Sequence, residues 1–526
     1  MRRDGNARKG PLFLGILLGL LALAAGALAA GALLPEWRAD EPLDEEVYRE
    51  RYTALAGRAG FRLEPGEPRV RLATRGFKSW MLTDRTGIRI EVFHKVRGPG
   101  DGESGTFTVD FSADGRPQAL AWWGASGFSM LRIPSIEESF RLMESLAPLL
   151  LHPGESLGEI RRGRYQTIPR LLVPIEGGAR PQHLFALGFG NAQMGRRAGS
   201  LTKETVRAAD ASMARAISLF WLSILGTVLA LGLFLALLLK ARLSAANGAL
   251  LALVSLATLR PVPDLLLGTR GSALWATGQV ALGVFLLWSS AESLLRSTGP
   301  DFTTSLDALR AGRLGPRGGR SLLLGFAFGT GVAGLRLGLY SLAEALPGVR
   351  PGEPSVSLPV FGSFSSPVAD GVLLAALVAL ALAFSLRVLP ARWAPWAAAL
   401  ALGLLVPPVA FHPFAAQAVA GTVFAGVLVY VCQRHGLTAL LAATIVSVAA
   451  PLALLSSLHA DWLAGGLAGT AGLCAAVLLL GFVGLSRSPA GEVERLTPPA
   501  FVRRLDEERR LKHEMTLLAR MQKGLL

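Results

Sequence analysis

Five polar residues stand inside or at the ends of long apolar runs: Arg336, Glu344, Asp370, Arg387 and His412. A charge left unpaired in lipid is costly, so each is a candidate for a site within a helix bundle. Arg336 and Glu344 share one helix face two turns apart, so both could look into one interior. Asp370, Glu344 and His412 can equally lie at the membrane interface, whereas Arg336 sits deeper in its run. Glu292 and Arg296, spaced i,i+4 where a helix leaves the membrane, read as a structural pair.

Metal-dependent proteolysis inside such a bundle needs a carboxylate and converging histidines. The apolar region offers only His412, His435 and His459, two of them at loops. Neither a His-Glu-x-x-His motif nor a Gly-x-Ser-x-Gly elbow occurs. Cys432 and Cys474 both fall in apolar runs, without disulfide or metal-ligand spacing, and read as packing residues. No catalytic residue and no metal ligand is therefore assigned. Small-solute transport stays open as an alternative, although no repeat relates the halves of the membrane region.

The elements that would position these residues are hydrophobic helices. Apolar residues make up 51% of the 526-residue chain and charged ones 17%, with a mean hydropathy of +0.43, which excludes an ordinary soluble protein. Residues 11–34 carry no charge and, as a helix, span roughly 36 Å, so they read as an uncleaved anchor. Further hydrophobic helices are expected at 214–240, 244–259, 272–290, 321–346, 367–386, 393–411, 415–432, 437–457 and 462–485. The fold class is thus an all-α polytopic bundle of about ten membrane helices, with an α+β domain inserted after the first.

That domain occupies 35–212. Ile88–His94 alternates as a half-buried strand, Thr106–Phe111 does likewise, and Gln118–Trp122 returns after a turn at Ala113–Gly115. Helices are expected at Leu43–Ala56, Ser135–Leu149 with Ser135 as its cap, and from Lys203 toward the membrane. Lys and Arg in the short loops place residues 1–10 and the tail in the cytoplasm and 35–212 outside it. The formal charge of +15 is scattered along membrane-flanking loops and this domain, which excludes a nucleic-acid partner.

The chain changes character at Ser486. Within 486–526, Leu511, Met515, Leu518, Gln522 and Leu525 follow the seam spacing of a short coiled coil, which predicts a homodimer through this helix. A solvated amphipathic helix is the simpler alternative. His513 reads as a polar helix residue rather than a phospho-acceptor.

Two family resemblances follow from these segments. Residues 291–317 and Gly421–Ala443 look like the membrane core of bacterial CAAX-prenyl-protease-like, bacteriocin-processing intramembrane proteases. That family carries Glu-Glu-x-x-x-Arg, Phe-x-x-x-His and a further histidine after an Arg-x-Gly-Leu-like turn. Leu382–Arg387 aligns with the first motif, keeping only the arginine; Arg434–Leu437 resembles the turn; Thr444 falls where the last histidine belongs; His412 lies near the middle motif. The resemblance implies a bundle that has lost protease activity, a pseudo-protease.

Residues 507–526 resemble the helix preceding PPM-type serine/threonine phosphatase domains of the bacterial sporulation and stress-regulator class, through Ala519-Arg520-Met521-Gln522 and Leu525-Leu526. This resemblance implies a sensor and anchor in a bacterial inner membrane, coupled to a phosphatase module expected to follow Leu526. Mn²⁺ or Mg²⁺ would belong to that module, with no cofactor in this chain. The implied partners are membrane lipid and a regulatory phosphoprotein.

Overall fold

The computed structural model describes residues 10–33, 42–73, 89–98, 104–124, 136–165, 168–178, 181–188 and 191–198. In the apolar region it describes 228–240, 243–258, 270–298, 302–345, 350–351, 367–405, 411–412, 414–458 and 460–487, and in the tail 507, 510–511 and 514–518. The expected helix after Lys203 and the Ser135 cap lie outside these residues.

Helix α1 (Gly10–Leu33) leads into a domain built from two units of like topology. The first unit is α2 (Glu45–Arg58), β1 (Arg62–Leu63), β2 (Arg69–Ala73), β3 (Arg89–Arg97), β4 (Ser104–Ser112) and β5 (Pro117–Gly124). The second is α3 (Ile136–Leu146) with a 3-10 turn at Ala147–Leu150, then β6 (Ser156–Leu157), β7 (Arg161–Tyr165), β8 (Ile168–Glu176), β9 (Gln182–Gly188) and β10 (Asn191–Ala198). In each unit the first two strands lie along one edge of the third, and a meander follows. The pairing of β5 with β10 joins the units into one antiparallel sheet of ten strands.

The correspondence extends to strand length. β1 and β6 have 2 residues each, β2 and β7 have 5, β3 and β8 have 9, and β5 and β10 have 8. Matching positions bury matching faces: Val92 with Leu171, Val96 with Ile175, Phe107 with Leu184 and Leu120 with Met194 all lie in one core, under Tyr48, Tyr52, Phe140 and Met143 of the two helices. The hairpin expected from alternation is β4–β5, but the sheet around it is far larger than three strands.

The apolar region contains α4 (Val228–Leu239), α5 (Ala246–Thr258), α6 (Arg270–Thr298), α7 (Thr304–Arg310) and α8 (Pro316–Ala345). It continues with α9 (Pro367–Val388), α10 (Ala394–Leu405), α11 (Phe414–Leu458) and α12 (Ala460–Ser486), while β11 (Arg350–Pro351) pairs with β12 (Phe411–His412). Among the described residues, five stretches are long and apolar enough to cross a membrane: Leu12–Ala30, Pro316–Leu342, Pro367–Val388, Ala415–Leu454 and Ala468–Ser486. The expected number of about ten is not confirmed by this criterion; the Ala415–Leu454 stretch covers two of the expected spans, and residues 214–227 of another lie outside the described residues. At 1.5 Å per residue the 12-residue α10 reaches only about 18 Å, short of the hydrocarbon thickness.

α11 is two limbs rather than one rod. Gly436 stands at φ 80°, outside helical space. Gly325 and Gly329 of α8 press on Ala439 and Ala443, while Phe328 between them meets the rings of Tyr430 and His435 at 6.1 and 5.7 Å. Both limbs therefore pass the same turn of α8, and the chain folds back at Gly436.

α8 is the axis of this region. Its Gly334 lies against Ala22 and Leu23 of α1, and Gly19 and Gly26 of α1 lie against Ala327 and Gly334, so the two helices run parallel with backbones in contact. Gly319 meets Gly481 and Gly484 of α12, which runs antiparallel to it. No Cβ fits at any of these glycines; close approach of this kind is how membrane helices associate without a hydrophobic driving force.

Candidate functional site

A buried polar knot lies where α5, α6 and α7 meet. Glu292 is fully buried on α6, yet both its oxygens are occupied. Oε1 accepts from Ser244 Oγ at 3.1 Å, Asn247 Nδ2 at 2.9 Å and Arg296 Nε at 2.9 Å, and Oε2 accepts from Trp288 Nε1 at 3.0 Å. Arg296, one turn further along α6, also donates to Asp307 Oδ1 of α7 at 2.6 Å. Asn247 Nδ2 reaches the same Asp307 oxygen at 3.0 Å, so one amide bridges two carboxylates.

The sequence builds this locally. The i,i+4 spacing stacks Glu292 and Arg296 on one face, and Trp288 sits one turn before them on the same face. α5 approaches because Gly248 has no side chain: a Cβ there would collide with Ser289 Oγ. Ser244 N donates to Ser293 Oγ at 2.7 Å, fastening the start of α5 to α6. α7 follows α6, whose last turn is held by Arg387 of α9, which donates to Ser297 Oγ at 2.6 Å.

Two carboxylates share one buried guanidinium, and Arg310 stands at the rim, 4.0 Å from Asp307. Asn247 Oδ1 and the hydroxyls of Ser255, Ser289 and Ser290 are buried without a hydrogen-bond partner among the described residues. With four donors on its oxygens, Glu292 is no general base, and no cluster of three His, Cys, Asp or Glu that could hold a metal occurs among the described residues. The arrangement ties three helices together; removing one partner of such a buried network costs about 3–5 kcal/mol.

The five polar candidates are distributed differently. Half-buried Arg336 on α8 places its guanidinium 5.9 Å from the centroid of Tyr340 and within electrostatic reach of Asp370, in the first turn of α9. Glu344 lies on the last turn of α8 and its side chain is outside the described residues. His412 belongs to the β11–β12 pair, opposite Arg350 in register. Arg387 is exposed at the far end of α9, on Ser297. Thus Arg336 and Asp370 lie within electrostatic reach of each other, Arg387 stands at the opposite end of α9, and the side chains of Glu344 and His412 lie outside the described residues. In the tail, Leu511, Met515 and Leu518 are helical and 59–69% exposed, while Gln522 and Leu525 lie outside the described residues.

A second polar centre sits in the sheet domain. Arg196 of β10 is buried and grips Glu155 through two bonds, at 2.7 and 2.8 Å, while also donating to the Leu150 carbonyl at 2.7 Å and to Gln182 Oε1 at 3.1 Å. His152 N donates to the same carboxylate at 2.8 Å. The Arg196 bonds hold the Glu155 carboxyl down at about 2, and burial followed by the nearby Arg196 charge lowers the His152 imidazole. A cleft lined by Arg51, Asp114, Arg116 and His152 opens beside it, between the turn of one unit and the loop of the other.

Sequence reasoning registered the Glu292–Arg296 spacing but not the knot, because Asn247 and Asp307 arrive from other elements. Comparison with known proteins finds no matching protein family, no similar curated protein and no matching solved structure for this chain.

Proposed function

We propose that the chain is the sensing and membrane-anchoring region of a signalling protein, in which the sheet domain or the bundle receives a signal outside the cytoplasm and passes it to a C-terminal PPM-type phosphatase module. The observation that carries this reading is the position of α8. It packs backbone to backbone on α1, which leads into the sheet domain, and on α12, which leads into the tail. A displacement of α1 is therefore felt at the start of the tail helix, whose exposed Leu511, Met515 and Leu518 form the seam of a homodimer.

The test uses the native gene product in membranes, with a phosphoserine protein as substrate and Mn²⁺ present. Mn²⁺-dependent phosphate release is expected, and its signal dependence should be lost in Gly334→Val, which drives a side chain into Ala22. Gly338→Val, with nothing within 4 Å, serves as the control and should behave as wild type. Absence of Mn²⁺-dependent release overturns the phosphatase reading; equal effects of the two substitutions overturn the α8 path.

A second reading, a pseudo-protease scaffold, has one observation in its favour. The Glu-x-x-x-Arg spacing of that family is met by the buried Glu292 and Arg296, with Ala291 in place of the first glutamate, better than by Leu382–Arg387. Thr330, four residues after Phe326, and Thr444 stand at the histidine positions. Their hydroxyls turn back on carbonyls of their own helices at 3.0–3.1 Å. Stoichiometric zinc in the purified chain, measured by elemental analysis, would contradict that loss of function.

A further inference from the structure

One end of the bundle gathers loops from across the sequence. The α6–α7 turn places Phe302 against Gly436 of the α11 fold-back, α9 ends on Ser297 through Arg387, and the start of α8 lies against the last turn of α12. This end exposes Arg313, Arg320, Arg392 and Arg434, beside Arg317 and Arg387, which are engaged by other groups. Among the described residues its carboxylates are drawn inward: Glu292 is fully buried and the Asp307 side chain is 14% exposed, both engaged by Arg296. Among the described residues of segments 302–320, 384–397 and 431–437 no Asp or Glu is exposed.

Beside this charge, at the α9–α10 junction, stand Trp393 and Trp396, 56 and 71% exposed, with the Arg392 guanidinium 5.7 Å from the Trp393 centroid. Exposed indoles mark the headgroup level of a bilayer, where the ring is apolar and the N–H is wet. The arginines therefore stand at phosphate depth rather than out in solvent.

We propose that this platform binds the phosphates of anionic phospholipids in the leaflet on the side of the chain's N-terminus. Guanidinium groups suit the site because their donors are fixed in a plane and chelate phosphate oxygens in pairs. The occupant is a lipid and not a soluble phosphate because the indoles set the platform at the bilayer surface, where headgroups are held at high local concentration. Arg296, with Arg310 at the rim, engages Glu292 and Asp307, so the carboxylates under the platform are held by partners within the knot.

The test is native mass spectrometry of the full chain released from nanodiscs of phosphatidylcholine mixed with phosphatidylglycerol. Wild type should retain phosphatidylglycerol in preference to phosphatidylcholine. Each neutralisation among Arg313→Gln, Arg320→Gln and Arg434→Gln should lower that preference by about fivefold, the energy of one basic residue near an anionic surface. Arg313→Lys, Arg320→Lys and Arg434→Lys combined should keep most of it, and Arg97→Gln in the sheet domain should keep all. Lack of preference in the wild-type chain overturns the proposal, as does a triple glutamine variant that retains full preference. Displacement of the bound lipid by millimolar inorganic phosphate would overturn the assignment to lipid and mark the site as one for a soluble anion.

Discussion

The two units of the sheet domain solve one packing problem in opposite ways. Sixth along β5 stands Trp122, and sixth along β10 stands Arg196; the residue before β1 is Phe61, and the residue before β6 is Glu155. In the first unit these positions hold an aromatic pair, Phe61 and Trp122, with centroids 4.8 Å apart and Phe107 a further contact of Phe61 at 4.7 Å. In the second they hold a buried, two-pronged ion pair. A like ladder of strands under its own helix accepts either, so the backbone topology does not depend on the chemistry of this pair. The costs differ, however. The aromatic pair needs only complementary shape, whereas the ion pair needs Gln182, the Leu150 carbonyl and the His152 amide to complete its hydrogen bonds.

This difference is open to direct tests. The largest effect is expected from Arg196→Ala, which strands the Glu155 charge in the core and should destabilise the second unit by about 3–5 kcal/mol, measured by hydrogen exchange of β6 and β10 amides in the full chain. Exchanging both residues for their counterparts, Glu155→Phe with Arg196→Trp, should recover all but about 2 kcal/mol; a double variant no better than Arg196→Ala would show that the units are not interchangeable at this position.

Acid should separate the units next. The Glu155 carboxyl titrates at about 2 when folded against an ordinary 4.5, so below 4.5 the unfolded chain takes up the proton first. Its contribution, of order 3 kcal/mol, is complete above about pH 4.5 and disappears as the pH falls toward 2. Protection of β6 and β10 should fall across that window while β1 and β5, held by the aromatic pair, change less. Glu155→Gln should abolish the contrast; equal acid sensitivity of both units would contradict it.

The smallest effect is expected at Phe61→Leu, which keeps an apolar side chain but loses the ring contacts. It should cost about 1 kcal/mol in the first unit, with no acid dependence, by the same amide measurement.

Parts of this architecture were legible in the amino-acid order. Alternation marked β3, β4 and β5, where one face is apolar, and long apolar runs marked α1, α8, α9 and α12. The second unit was hidden because Leu171, Leu172 and Val173 of β8 are buried on both faces, which erases the two-residue period. The repeat was hidden because its units share geometry and not residue types, as Trp122 against Arg196 shows. In the bundle, Glu292 and Arg296 were visible as a local pair, but a knot that draws Asn247 from α5 and Asp307 from α7 depends on tertiary placement, to which no spacing rule applies. Gly436 was recognisable as part of a turn, and its positive φ is the reason the turn can form there.

The glycine-lined surface of α8 bears on the order in which the chain is assembled. Its apolar stretch has a mean hydropathy of 1.6, against 2.5 for α1, so α8 is the poorer candidate to rest alone among lipid tails. α1 leaves the ribosome first and is already seated when α8 emerges some three hundred residues later, ready to serve as the template against which the glycines close. α12 then packs beside α1 on the same stripe of α8, with Phe482 stacked on Phe13. Biogenesis of the bundle is thus a matter of keeping an early helix unengaged, through synthesis of the whole sheet domain, until its partner arrives.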